Sequence, residues 1–185
     1  TIKNTGKDTS KTEALKENLT VEVCVIGGGL AGVSTALGLA ERGCSVALLE
    51  QKKIGWGASG RNGGFVASGF SQNALVLIDQ LGLDHAKRLY QLTQDAYDLI
   101  QQRIIGAEAE IKSPQQGTVT ASWFNDPKGL QNYIDTMNSV FGESFEYWPK
   151  EKINEAYLTD RYFCGYLERS TSHFQSLNYT IHTAE

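Results

Sequence analysis

Two short apolar runs, joined through a triple-glycine turn and an alanine-rich segment, limit what this chain can fold into more than any other feature. Residues 21–26 form a β-branched run, broken at once by Gly27, Gly28 and Gly29. The apolar and small residues of 30–42 fit a single helix, and Gly43 stands where a helix C-terminus favours positive φ. Residues 45–49 form a second apolar strand that ends at Glu50. Strand, glycine turn, helix and strand within some thirty residues make a β-α-β unit, so the two strands run parallel. The first strand is expected to be buried on both faces, as parallel strands are.

The glycines occupy the positions a dinucleotide requires. Gly27 permits the tight turn off the strand, Gly29 lets the backbone approach a pyrophosphate, and Gly32 lets helix and strand pack closely. The helix starting at Leu30 and Ala31 aims its free N–H groups and positive dipole end at that phosphate. Glu50 is placed to accept hydrogen bonds from ribose hydroxyls, and an acid there disfavours the 2′-phosphate of NADP. NAD and FAD share this fingerprint. A second glycine-rich stretch at residues 55–64, with a serine and an arginine inside it, tips the choice to FAD, whose extended ribityl chain and ring system need a cradle of their own. An NAD-dependent dehydrogenase and a non-catalytic dinucleotide-binding or interaction module stand as alternatives. The first is separated from the leading reading by the second loop alone, and the second is not separated at all.

Three stretches carry a family resemblance: Val25-Ile26-Gly27-Gly28-Gly29-Leu30-Ala31-Gly32, Leu48-Leu49-Glu50 and Gly57-Ala58-Ser59-Gly60-Arg61-Asn62-Gly63-Gly64. They resemble the FAD-dependent amine and amino-acid oxidases of the D-amino-acid oxidase superfamily, and most of all the gamma-glutamylputrescine oxidase branch. The resemblance implies noncovalent FAD, because the second loop lacks the His or Cys that anchors flavin in some relatives. It implies cofactor contacts from Gly27, Gly29, Leu30, Ala31, Gly32, Glu50, Gln51, Ser59, Gly60, Arg61, Asn62, Gly63 and Gly64. It also implies oxidation of a primary or secondary amine or amino acid: the C–N bond goes to an imine, the flavin takes a hydride equivalent, and oxygen takes the electrons. No residue is assigned as catalytic. Tyr162, Tyr166 and Arg169 fall in the expected substrate region, His173 matches a position where relatives often carry His, and His85 and His182 have no assigned role. Asn62 has a simpler alternative as a left-handed turn residue.

Composition adds exclusions. Seventeen basic and twenty-one acidic residues give a net charge of -4 without blocks, which argues against nucleic acid or an anionic membrane as partner. No apolar stretch approaches a membrane span, and no metal-ligand spacing is present, so no metal is expected. Cys24, Cys44 and Cys164 read as buried thiols in a reducing, cytoplasmic setting.

The expected fold class is α/β, a Rossmann-like FAD-binding β-α-β unit followed by the beginning of an α+β substrate domain. The expected division is a polar leader at 1–20, an FAD-binding part at 21–110, the start of a substrate domain at 111–170 and a return segment at 171–185. A helix capped by Asp84 should bury Leu89, Leu92, Ala96, Leu99, Ile100 and the stem of Arg103. Further strands are expected at 117–124, 145–148 and 163–167, with helices at 129–141 and 150–157. Only two parallel strands are legible, too few to cover their helices, so the chain reads as an N-terminal portion of a larger flavoenzyme that self-associates through uncovered surfaces.

Overall fold

The computed structural model describes residues 14–107, 111 and 115–185. The expected leader lies outside the described residues up to position 13, and residues 14–20 are exposed without regular structure. The chain divides into two compact units. One comprises Thr1–Gly64, Arg103–Pro114 and Phe174–Glu185, and the other Phe65–Gln102 and Gln115–His173.

In the first unit, β1 (Val23–Ile26) and β2 (Val46–Leu49) pair in parallel, with Val23 opposite Val46 and Ile26 opposite Leu49. Helix α1 (Leu30–Ala40) crosses between them and packs on both. It ends through paired bonds, the Gly43 N–H to the Ala40 carbonyl and the Cys44 N–H to the Leu39 carbonyl, with Gly43 at φ +84°. That pairing is the glycine-dependent helix stop the spacing predicts. The expectation that β1 is buried on both faces fails: Cys24 and Ile26 point outward, and Ile26 is 86% exposed. A two-stranded sheet with one helix covers one face only, so alternate residues of β1 stay bare. Cys24 is accordingly exposed, Cys44 half-buried and Cys164 buried, which corrects the reading of all three as buried thiols.

Helix α6 (Ser176–Ala184), far along the chain, belongs to this same unit and packs against α1 and a short 3-10 turn at Ala58–Gly60. Gly64 (φ +74°) lies so close to Phe174 that a Cβ there would sit 1.9 Å from the Phe174 carbonyl oxygen.

The second unit is α+β. Its sheet is built on β6 (Cys164–His173), which pairs antiparallel with β4 (Gln115–Ser122), with β5 (Glu146–Pro149) at its start and with β3 (Phe65–Val66) at its end. Helices α2 (Ala74–Leu81), α3 (Leu83–Ile104, whose last two residues fall in the first unit), α4 (Pro127–Phe141) and α5 (Lys150–Tyr157) complete the set. Two caps act as the sequence suggests. The Asn73 side chain accepts from the Leu75 N–H at 2.8 Å, and Asp126 accepts from the Gly129 N–H at 2.9 Å ahead of Pro127.

Asp84 does not cap α3. The helix already begins at Leu83, and Asp84 sits in its first turn, where its charge complements the dipole. The expected buried stripe of α3 is also corrected. Leu92 and Leu99 are 62% and 44% exposed, while Ala86, Tyr90 and Ile104 are buried, with Thr93, Tyr97 and Ile100 half-buried between them. The buried face carries hydroxyls that find partners inside, so polarity hid it and leucine content pointed to the wrong face. The core of this unit gathers Ala74, Ala86, Tyr90, Ile134, Met137, Phe141 and Phe145.

The contact between α1 and β1 leads to a paired expectation. A Cβ on Gly32 would lie 1.8 Å from the Gly27 carbonyl oxygen, whereas one on Gly38 would meet only the flexible tip of Arg42 at 3.3 Å. Gly32→Ala should lower unfolding stability by about 3 kcal/mol or more, and Gly38→Ala should raise it by roughly 0.5–1 kcal/mol through helix propensity. Urea titration followed by circular dichroism measures both, and equal effects would refute the packing described.

Candidate functional site: a two-loop cradle and a carboxylate-lined cavity

The cradle lies wholly in the first unit. Gly27, at φ +107°, turns the chain off β1, and its N–H bonds the Leu49 carbonyl at 2.8 Å, so the turn is tied to the second strand. Leu30, Ala31 and Gly32 open α1, where helix geometry leaves N–H groups without an intrahelical acceptor. The Ser59 hydroxyl accepts from the Leu30 N–H at 2.9 Å, although Gly29, the residue preceding the helix, offers no side-chain cap of its own. The two glycine loops are thus joined at the helix N-terminus. Gly29 must lack a side chain for this, since a Cβ would approach Ser59 Oγ to 2.9 Å.

Glu50 bridges the same region. Its Oε2 accepts from the Gly28 N–H at 2.6 Å and its Oε1 from the Lys52 N–H at 2.7 Å. These backbone donors, Lys52 first and then Gly28, hold the carboxyl below its usual pKa, with the Gln51 backbone adding a smaller effect. Glu50 is therefore ionised at neutral pH, with one oxygen on the glycine turn and the other on the backbone just past β2. Gln51 itself is exposed.

In the second loop, Gly60 is half-buried, and a Cβ there would clash with the Gly55 carbonyl at 2.3 Å and with Leu177 of α6 at 2.8 Å. Arg61 is exposed, its guanidinium 4.6 Å from the centre of the Trp56 ring. Asn62 is a clamp. Its amide nitrogen donates to the Ala58 and Ser59 carbonyls at 3.0 Å each, and its oxygen accepts from the Gly64 N–H at 2.8 Å. Its φ is not positive, so the left-handed alternative is set aside. Gly63 is exposed and Gly64 buried. All thirteen expected positions lie in this one unit.

This geometry fits an extended dinucleotide. A helix N-terminus free of carboxylate caps suits a pyrophosphate, an ionised carboxylate at the end of β2 suits a ribose diol, and the cradle excludes Cβ atoms where an approach must be close.

The second unit holds a different constellation, of which the sequence singled out Tyr166 but not the acids. Glu143 is buried, at 7% exposure, and accepts from Tyr90 Oη at 2.9 Å, Gln94 Nε2 at 3.1 Å and Ser170 Oγ at 2.6 Å. A cavity of about 300 Å³ is lined by Tyr90, Tyr133, Met137, Phe145, Tyr166 and Glu168, with Ser68–Asn73 along its edge. Burial, and secondarily the charge of Glu143, push the Glu168 carboxyl up to about 7. Burial likewise raises the phenols of Tyr90, Tyr133 and Tyr166, which stay protonated.

Of the residues expected in the substrate region, Tyr166 lines this cavity, stacked on Phe145. Arg169 is exposed and pairs with Glu146 at 2.7 Å, Tyr162 packs edge-on against Trp123, and His173 is exposed beside Phe65. Glu168 was missed because a single acid in a strand has no local signature. Its place between Leu167 and Arg169 gave no alternation to read.

Fold and cradle together define a flavin-type dinucleotide-binding protein. Comparison with known proteins makes this specific: the FAD dependent oxidoreductase family matches residues 22–185, and the chain belongs to that family. It is 31% identical over 173 residues to the gamma-glutamylputrescine oxidoreductase of Escherichia coli (strain K12), covering 94% of this chain and 41% of that protein. Among solved structures it is similar to L-amino acid deaminase from Proteus myxofaciens in complex with anthranilate (TM-score 0.68, 23% identity, 94% of this chain, 38% of that one). Glycine oxidase from Bacillus cereus ATCC 14579 is similar too (TM-score 0.67, 20% identity, 89% of this chain, 43% of that one). The chain spans about two fifths of the length of these proteins. Among the described residues no helix is long and apolar enough to cross a membrane.

The raised Glu168 carboxyl sets a pH dependence. The native chain holds this proton from about pH 4.5 to 7 while the unfolded chain has released it, so stability contributed by the protonated form falls as pH rises through that window. Glu168→Gln keeps a neutral side chain at every pH. It should match the parent near pH 4 and exceed it at pH 8 by about 2 kcal/mol, after allowance for partial solvent screening. Urea unfolding at the two pH values checks this, and a variant equally or less stable at pH 8 would contradict it.

Proposed function

We propose that this chain supplies the FAD-binding cradle of an oxidoreductase that oxidises the C–N bond of a primary or secondary amine or amino acid, in the manner of gamma-glutamylputrescine oxidation. One observation carries the reading: the Ser59 hydroxyl on the Leu30 N–H, which fuses the pyrophosphate turn with the 55–64 loop. A nicotinamide-binding β-α-β unit works with the first loop alone. The fused loops offer a longer run of backbone donors, as a cofactor with a ribityl arm requires, and the family is FAD dependent. When bound, FAD supplies the two-electron acceptor for a C–N bond and returns those electrons to oxygen.

The residues of the chain bind and orient. The N–H groups of Ala31 and Gly32, with the α1 dipole behind them, hold the pyrophosphate. Ionised Glu50 accepts the ribose hydroxyls while keeping Gly28 and Lys52 in place. Ser59, Gly60, Arg61, Gly63 and Gly64 line the path beyond, and Asn62 fixes the loop that presents them. Gln51 takes part through its backbone. Attachment is noncovalent on this reading, and the three free cysteines suit a reducing, cytoplasmic setting. The uncovered face of β1, with Ile26 bare, supports self-association.

Flavin titration with fluorescence readout tests the cradle. Glu50→Gln should weaken FAD binding by about 10- to 100-fold, the loss of one or two charge-assisted hydrogen bonds. Ser59→Ala should weaken it less, since only the joint between the loops is lost. Anaerobic addition of alkylamines to the FAD-loaded chain should bleach the flavin band. Tight FAD binding unaffected by Glu50→Gln would remove the assigned site. Bound flavin that no amine or amino acid bleaches would favour a binding module without turnover.

A further inference from the structure

Two acids of the second unit, buried Glu143 and half-buried Glu168, have no ion pair among the described residues. Glu143 is satisfied by three neutral donors, and Glu168, half-buried on the cavity wall, has the charge of Glu143 as its electrostatic neighbour. The ion pairs found among the described residues lie elsewhere. Half-buried Glu146, by contrast, draws both Lys152 and Arg169. Negative charge withheld from solvent without a partner is costly, and a ligand cation would relieve it.

The aromatic residues that line the cavity with Glu168 suit such a ligand. Phe145 and Tyr166 stack with centroids 4.9 Å apart and planes 13° from parallel, and Tyr133 stands 5.9 Å from Tyr166 and 6.2 Å from Phe145. Aromatic faces attract cations that are weakly hydrated and carry apolar substituents, while Met137 adds a polarizable floor. A hard metal ion takes six or more oxygens, and Tyr90, Gln94 and Ser170 already occupy three of the roughly four lone-pair sites of Glu143. At about 300 Å³ the space is at the small end of ligand sites.

We propose that this cavity binds the ammonium group of a small alkylamine, with Glu168 as its counter-charge and Tyr133, Phe145 and Tyr166 as its aromatic walls. The proposal deepens the amine-oxidation reading and rests on it for the ligand's role in turnover. The binding itself needs no flavin, so the two can fail separately.

The test uses the full chain without added FAD, at pH 8, with n-butylammonium as probe and n-butanol as its neutral counterpart. Calorimetry should show saturable butylammonium binding at least tenfold tighter than butanol. Glu168→Gln should lose at least tenfold, Tyr166→Leu several-fold, and Tyr133→Phe, which keeps the ring, less than threefold. Ring-proton NMR of the unmodified chain should show the Tyr133, Phe145 and Tyr166 signals moving on titration, a readout that stands even if a variant fails to fold. Equal affinity for amine and alcohol would reduce the cavity to a plain apolar hollow and overturn the proposal. So would butylammonium binding unchanged in Glu168→Gln, or no movement of those ring signals. Failure of the flavin to bleach with amines, with butylammonium binding intact, would count against the oxidation reading alone.

Discussion

Helix α1 and strand β1 meet backbone to backbone, and the rest of the first unit depends on that contact. With a Cβ on Gly32 placed only 1.8 Å from the Gly27 carbonyl oxygen, the helix sits as near to the strand turn as the chain allows. That closeness brings the first N–H groups of α1 over the end of the sheet, within reach of Ser59 on one side, while Glu50 closes the other side through the Gly28 N–H. Withdraw the helix by the width of a methyl group and the Leu30 N–H loses Ser59, the joint between the two loops. A dinucleotide site of this kind is built from absent side chains, and its specificity comes from the few side chains that remain.

The two units handle charge in opposite ways. In the first, Glu50 is surrounded by backbone donors and kept ionised, so the cradle carries a fixed negative end beside a positive helix terminus. In the second, Glu168 is driven toward the neutral form by burial and by Glu143, and tyrosines of suppressed acidity surround it. Glu146 shows a third setting. Lys152 and Arg169 hold its carboxyl down to about 2 at the protein surface, where the pairing contributes little to stability.

Much of the local architecture was legible in the sequence, and the misses share a cause. The glycine triad, the stop at Gly43, the helix at Lys150–Tyr157 and the α/β class follow from short-range rules about turns, caps and periodicity. The same rules failed where burial is decided by partners distant in the chain. On α3 the leucines at 92 and 99 suggested a core stripe, yet the inward face is Ala86, Tyr90 and Tyr97, whose hydroxyls reach Glu143 and Ser172. Ile26 looked like core and is bare, because burial of a parallel strand depends on neighbours and not on its own composition. In the candidate site, the glycines and Glu50 were readable because a motif fixes their spacing. The cavity wall at Glu168 was not, since it depends on where the chain returns, and the Asn62 clamp, though local to Ala58, Ser59 and Gly64, reads in the sequence like an ordinary turn residue.

The seal between Gly64 and Phe174 bears on how the protein comes into being. The Phe174 N–H bonds the Gly64 carbonyl at 3.1 Å, and Leu177 and Thr180 of α6 lie against Gly55 and Gly60. The second loop therefore lacks its backing until a segment made more than a hundred residues later has left the ribosome, on the order of 5 to 20 seconds at ordinary rates of synthesis. Over that interval the first loop and its helix exist without the surface that fixes Ser59. The second loop is thereby one of the last parts of its unit to gain its backing, and α6, distant in sequence, supplies it.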